Sequence, residues 1–561
     1  MEFGSLGQYF PVLHHSNIPL LLFALFSLSE RGYDMGLEKR HKDLVLGNLL
    51  PRPERIEPVS EDFPVSETTR LVIFGSADPA AVFAAERLVS MIEEEFNLRL
   101  PIVQHEPTGP PRFFLVDRLS DLPKDSSSLR TLEQFGSEGY ALYVDSRSTQ
   151  VDASTPKGLF YGAMTLRQLL TRQDDRLWVA GVRITDKPRY QWRGFMFDSG
   201  RAPNSVAKMK RIIRICSSFK LNFVIFREGD DELNAVRYRT NPLGAENPHA
   251  LSVEEVQELI DYAGRYGVTV VPEVESLGHS TAKGFHDPTL VAGGFLELYE
   301  GLNSHTRKSH LLPGDPRSYA LLESIYREWI PLLKSPFIHL GLDEVRLDVE
   351  AQSRHLEGLL HVIDRVANHY GKTITSIVWG DAPAIPAEFR DRVIRCPWSY
   401  HSHGEIDLAN PHLQNQAVES LVREGCPEKV LMAGGSDSWH TPYTKSDYEP
   451  ALRNLACWAN LGKDHPNFIG LIAVQWSGNM TDDWLPDFLA AGDYGWNPPG
   501  QIPTFSDEMA CIRYQLARIH DATHPDPVEV DRPAWDGIWL NGREWDQDIR
   551  TGQRSKMVVT G

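Results

Sequence analysis

Phe337-Ile338-His339-Leu340-Gly341-Leu342-Asp343-Glu344 is an almost unbroken apolar run that stops at two adjacent carboxylates. A strand with one wet face alternates apolar and polar residues, whereas a run like this one reads as a parallel strand buried on both faces. The same texture recurs at 192–198, 222–227, 269–275, 375–379, 393–398, 430–433 and 469–476, which with 337–342 makes eight strand candidates. Helical periodicity fills the intervals, as at 206–219, 253–266 and 355–370, and Ser252 with Glu255 has the spacing of a capping box ahead of the second. Eight such units over roughly 300 residues predict an α/β fold of the (β/α)8 TIM-barrel kind, spanning 188–525. A doubly wound open sheet is the alternative. It normally carries a glycine-rich first turn, and the first strand here runs instead into Asp198-Ser199-Gly200-Arg201.

Outward from the barrel, residues 66–187 read as a small α+β domain: strands at 71–75, 112–117 and 140–145, helices at 79–96 and 158–172, and turns rich in Gly, Pro and Ser between them. Residues 1–65 form a poorly defined N-terminal segment and 526–561 a C-terminal tail. The apolar stretch 18–29 is too short to span a bilayer and is preceded by histidines rather than Lys or Arg. A net charge of -19 repels nucleic-acid phosphate, so a neutral or weakly charged partner is expected, and neither a nucleic acid nor a membrane. Cys216, Cys396, Cys426, Cys457 and Cys511 are odd in number and form no C-x-x-C pair, which points to free thiols and a cytoplasmic location.

In a barrel the chemistry gathers where the strands stop. Reading off those positions gives Arg193 and Asp198 on the first strand, Asp230 and Asp231 after the second, Glu275 and His279 after the third, and His339, Asp343 and Glu344 on the fourth. The last four end near Trp379, Trp398, Trp439 and Trp476. Carboxylates therefore collect on one half of the strand order and tryptophans on the other. A pyranose needs both, an aromatic wall for its apolar face and polar groups for its hydroxyl rim. Asp343 beside Glu344 also suits acid catalysis, because an adjacent anion keeps a carboxylic acid protonated.

His339-Leu340-Gly341-Leu342-Asp343-Glu344 resembles the H-x-G-G-D-E signature of glycoside hydrolase family 20, the β-N-acetylhexosaminidases. Arg193-Gly194-Phe195-Met196-Phe197-Asp198 is similar to that family's opening R-G-x-x-x-D. The spacing from Leu221-Asn222 to Asp230-Asp231, and Val271-Pro272-Glu273-Val274-Glu275 followed by Gly278-His279-Ser280, resemble its next two motifs in order. Glu138-Gly139-Tyr140 and Thr155-Pro156-Lys157-Gly158 are similar to its non-catalytic domain, so the likeness covers roughly residues 70–520.

The resemblance implies a retaining, exo-acting β-N-acetylhexosaminidase that removes terminal β-linked GlcNAc or GalNAc. The substrate's 2-acetamido oxygen attacks its own anomeric carbon, an exception to the two-carboxylate scheme. Asp343 would polarise the acetamido group and Glu344 would be general acid, then general base. Arg193 would bind hydroxyls, Trp379, Trp398 and Trp476 would wall the sugar, and Asp230 or Asp231 with His279 would tune Glu344. No cofactor and no metal is implied.

The chain departs from the pattern at three places. Leu342 stands where the signature has its second glycine, Ile225-Phe226-Arg227 where H-W-H is expected, and Ser477-Gly478-Asn479 follows Trp476 where a Glu usually comes two residues on. Two rivals compete with this reading. One is a metal-dependent hydrolase using His279, His339 and Asp343, which would leave the aromatic arc unexplained. The other is a catalytically silent carbohydrate-binding protein, against which stands the retention of both Asp343 and Glu344.

Overall fold

The computed structural model describes residues 34–75, 78–105, 112–119, 122, 135–173, 175–201, 203–231, 233–291, 310–345, 347–400, 428–435, 448–476 and 484–524, with short strands at 539–540, 543–545 and 557–559. Contacts divide the chain into Met1–Gly47, whose described part is the helix Asp34–Gly47, and Asn48–Gly561, which holds the rest. No helix among the described residues is long and apolar enough to cross a membrane.

The small domain is a seven-stranded mixed sheet carrying the helices Pro79–Phe96 and Pro156–Leu169. Both helices start with Pro in the first turn behind a side-chain cap, Asp78 accepting from the Ala80 amide and Thr155 from that of Gly158. That is where the missing proline N–H costs nothing. The domain reaches further back than the boundary at 66: Arg55–Pro58 pairs antiparallel with Val182–Asp186 at the edge of this sheet, and Phe63–Val65 pairs with Arg176–Val179 in a separate three-stranded sheet. These strands are short and rich in charge and proline, so no apolar run announced them.

The barrel closes with every neighbouring pair parallel. Its strands are β1 (Trp192–Asp198), β2 (Phe223–Arg227), β3 (Thr269–Glu273), β4 (Phe337–His339), β5 (Thr375–Trp379), β6 (Val393–Cys396), β7 (Lys429–Gly435) and β8 (Phe468–Val474). β1 pairs with both β2 and β8, which joins the ends. All eight sequence strands are present, four of them stopping two to three residues sooner because the chain turns into loops at the mouth. Among the described residues, the helices that alternate with these strands include α1 (Val206–Ser218), α2 (Val253–Arg265), α3 (Pro316–Leu332), α4 (Val349–His369), α5 (Tyr448–Gly462) and α6 (Leu485–Trp496). The capping box of α2 forms as expected, Ser252 and Glu255 satisfying each other's amides. Between β5 and β6 a 3₁₀ segment, Ala387–Arg392, stands in place of a full helix.

Alternation along each strand decides what lies inside. Met196, Ile225, Val271, Ile377, Ile394, Leu431 and Ile472 meet on the axis, and Trp192, Phe223 and Phe337 pack ring to ring at 5.2–6.2 Å. Each such side chain contributes about 1.5–3 kcal/mol on burial, so the interior is a solid plug. One step further along the same parity come Asp198, Arg227, Glu273, His339 and Trp379, at the C-terminal ends of their strands. The apolar plug thus passes into a charged layer at the mouth.

Candidate active site

Asp343 and Glu344 lie beyond the last paired residue of β4, on a backbone that no regular strand could follow. Gly341, Leu342 and Glu344 all have positive φ, 69°, 75° and 50°. This path cancels the opposite facing of strand neighbours and brings both carboxylates to one imidazole. His279 Nε2 lies 3.4 Å from Asp343 Oδ2 and 3.2 Å from Glu344 Oε2, while its Nδ1 lies 3.2 Å from Asp230 and 3.2 Å from Asp231. His279 therefore bridges the aspartates after β2 to the pair after β4. Asp343 is buried, whereas the Glu344 side chain keeps 37% exposure, so of the two Glu344 is the one open to an incoming ligand.

Gly341 is required where it stands. A β-carbon there would sit 2.2 Å from Glu275 Oε2, in a backbone region that L residues avoid. Leu342 occupies the same region without being glycine, at a cost of about 1–2 kcal/mol. Its side chain is buried, and burying a leucine is worth about 2–5 kcal/mol by truncation, which exceeds the strain. Restoring the family's glycine should therefore destabilise this chain. Leu342→Gly is expected to lower unfolding free energy by about 1–3 kcal/mol in denaturant melts, and a gain in stability would overturn the account.

Arg227 fills the middle of the charged layer. Its guanidinium bonds Glu273, lies 2.7 Å from both Asp230 and Glu275 and 3.9 Å from Asp343, and sits 5.0 Å from the Trp476 ring. Arg201 covers it from above, donating to Asp198 at 3.1 Å and to the Trp476 carbonyl at 3.2 Å, with Asp230 at 3.1 Å. Burial works to raise Asp230, but Arg201, Arg227 and His279 outweigh it and hold that carboxyl well below its usual range. Elsewhere burial wins. It pushes Glu273 up to about 7 against Arg227, and it lifts Asp381, with Asp343 adding to the effect, also to about 7.

Those two carboxyls set a pH dependence of stability. Raised from 4.5 and 3.8, they hold protons in the folded chain that the unfolded chain has already released, so stability must fall as pH rises through about 7. Burial drops His339 from 6.5 to about 3, so above pH ~6.5 it is neutral in both states and contributes nothing there. The melting temperature should therefore decline by roughly one to two degrees between pH ~6.5 and pH ~8, the change levelling off above that. A flat or rising trend would show that the layer is not protonated as described.

The tryptophans divide. Trp398 and Trp476 are half-buried at the mouth: Trp398 stacks on Tyr400 at 5.5 Å, and the Trp476 indole N–H donates to the Tyr400 hydroxyl at 2.7 Å. Trp379 is a correction. It has no exposed surface, donates its indole N–H to Glu273 at 2.7 Å and lies beneath Trp476 at 5.3 Å, so it is floor rather than wall. Trp439 lies outside the described residues.

Two further expectations are corrected. Arg193 is fully buried at the opposite end of β1, where its guanidinium donates to Glu138 at 2.7 Å and to the carbonyls of Tyr190 and Lys220. It stands at the strand's N-terminal start and on the outward parity, so it cannot reach the mouth. His339 is also wholly buried, its Nδ1 accepting the Gly341 amide at 3.1 Å and its ring 4.5 Å from Trp379; it supports the turn and touches no ligand space. The metal rival loses its set with it. Among the described residues, the carboxylate and histidine groups with ligand atoms within 4.8 Å of one another include His279 with Asp343 and Glu344, but never His339.

Reading strand ends missed Arg201 and Asp381, each two or three residues past β1 and β5 and therefore findable by the rule that yielded Asp343. Tyr400, beyond β6, was missed in the same way.

The comparisons agree with this geometry. Models of the glycosyl hydrolase family 20 catalytic domain and of that family's domain 2 match residues 190–378 and 47–187. A β-hexosaminidase of Vibrio furnissii is 26% identical over 334 residues, covering 56% of this chain and 51% of that protein. A β-N-acetylhexosaminidase of Cellulomonas fimi is 24% identical over 485 residues, covering 80% of this chain and 90% of that protein. The chain spans about half the length of the first relatives it matches, 51%, 42% and 54%. In structure, a family 20 β-N-acetylhexosaminidase of Streptomyces coelicolor superposes with a TM-score of 0.66 at 21% identity, over 86% of this chain and 98% of that one. With the two domains in this order, the paired strand-four carboxylates and the closed barrel, the chain belongs to glycosyl hydrolase family 20.

Proposed function

We propose that the chain is a retaining, exo-acting β-N-acetylhexosaminidase that removes terminal β-linked GlcNAc or GalNAc from an oligosaccharide by substrate-assisted catalysis. The observation that carries this reading is the His279 bridge, which sets Asp343 and Glu344 side by side with unequal exposure. Asp343 accepts the acetamido N–H, which sharpens the carbonyl oxygen as a nucleophile toward C1. As that oxygen bonds to C1, the protonated Glu344 gives its proton to the glycosidic oxygen and the C1–O bond breaks. Water then attacks C1 and gives its proton to Glu344, the cyclic bond opens, and two inversions leave the β configuration. No enzyme carboxylate bonds to the sugar.

Trp398 and Trp476 provide the apolar face, and the Arg201 guanidinium beside Trp476 takes the hydroxyl-binding place first expected of Arg193. Hydrolysis of aryl β-glycosides that differ only at C2 tests the proposal, since the 2-acetamido sugars must turn over and the 2-hydroxy sugar must not.

A further inference from the structure

Asp381 divides its carboxylate between two donors. Oδ2 accepts the backbone N–H of Glu344 at 2.5 Å, and Oδ1 accepts the indole N–H of Trp398 at 3.2 Å. One side chain, fixed two residues past the end of β5, thus ties the acid to the aromatic wall. Glu344 has a φ of 50°, a conformation that costs an L residue about 1–2 kcal/mol and persists only where its surroundings impose it. The Asp381 bond falls on the amide of that strained residue, so it constrains the direction in which the Glu344 side chain leaves the backbone. His279 then meets the far end of the same side chain at 3.2 Å. The carboxylate is held at both ends, by Asp381 through the main chain and by His279 through Oε2.

We infer that Asp381 is a positioning residue for the reaction: it fixes the strained Glu344 backbone so that the acid points at the leaving oxygen, and holds Trp398 in register with it. The inference rests on Glu344 being the acid/base. A positioning role differs from a merely structural one in its dependence on the leaving group. A misplaced acid costs most where the leaving oxygen needs its proton, and little where the leaving group departs unaided.

The experiment compares Asp381→Ala and Asp381→Asn with Glu344→Gln on two aryl 2-acetamido-β-glycosides, one with a poor and one with an activated leaving group. A displacement of about 1 Å at a reacting group can cost 10²-fold, so Asp381→Ala should lose about 30- to 100-fold in kcat on the poor leaving group and about 3-fold or less on the activated one. Asp381→Asn keeps one acceptor oxygen and places an amide N–H₂ against the other donor. It should fall between Asp381→Ala and the parent with the same leaving-group bias, and it carries the test if the alanine variant does not fold. Equal losses on both substrates, or no loss, would overturn the positioning role. If Glu344→Gln itself shows no leaving-group bias, the assignment of Glu344 fails; if it shows the bias and the Asp381 variants do not, only the inference about Asp381 fails.

Discussion

Glu344→Gln is expected to fold as the parent does and to lose about 10²- to 10⁴-fold in turnover on glycosides with poor leaving groups, the range that a positioned general acid supplies. The substitution is isosteric, and the side chain is 37% exposed, so it disturbs no packing. What it removes is the proton. On an activated aryl glycoside, whose leaving group departs without help, the first step survives and the return of water becomes the slow one. Azide, which needs no general base, should then restore part of the rate. Steady-state kinetics on the two classes of substrate, with and without azide, provide the measurement. Near-parental turnover on natural oligosaccharides would remove Glu344 from the role and shift attention to its neighbours around His279.

The second large effect concerns the substrate. Replacing the 2-acetamido group of an aryl β-glycoside by hydroxyl deletes the nucleophile, and a well-placed intramolecular nucleophile is worth effective molarities of about 10⁵ M or more. The β-glucoside should consequently be slower by at least about 10³-fold in kcat/KM, while GlcNAc and GalNAc glycosides, which differ only at C4, should lie within about 10-fold of each other. The small C4 effect follows from Ser477-Gly478-Asn479 after Trp476, which offers no carboxylate two residues on for an outer hydroxyl. Comparable hydrolysis of the β-glucoside would sink substrate assistance and require a carboxylate nucleophile. Asp198 and Glu275 have fully buried side chains, whereas Asp231 keeps 18% exposure, so Asp231 would be the first to replace.

The barrel was readable because a strand buried on both faces is an apolar run of fixed length, and eight such runs with helices between them admit few topologies. The same periodicity could have corrected Arg193. It stands five residues before Asp198 on one strand, an odd separation that puts the two on opposite faces, and it lies at the end of the strand away from the mouth. Trp379 and His339 were misjudged for a different reason. Their parity and strand end are right for a site, but how deep a residue lies depends on what covers it, and Trp476 packs over Trp379. The pairing of Asp343 with Glu344 was legible as chemistry but not as geometry, since the positive φ angles that align them follow from contacts remote in sequence. Asp381 illustrates the same limit. Its importance rests on a backbone amide 37 residues away along the chain.

The buried polar seam at the base of the barrel bears on how this architecture can be cut and recombined. Arg193 meets Glu138 there at 2.7 Å and Lys220 meets Asp186 at 3.0 Å, every one of these groups being buried and each pair joining the barrel to the small domain. Stripping the partner from a buried ion pair costs about 3–5 kcal/mol, and two such losses rival the whole stability of an ordinary domain. A barrel excised at its own first strand would carry an orphaned guanidinium and an orphaned ammonium on what had been its sealed floor. The barrel is therefore not a portable module: a chimera that borrows its mouth must inherit the small domain as its counter-ion.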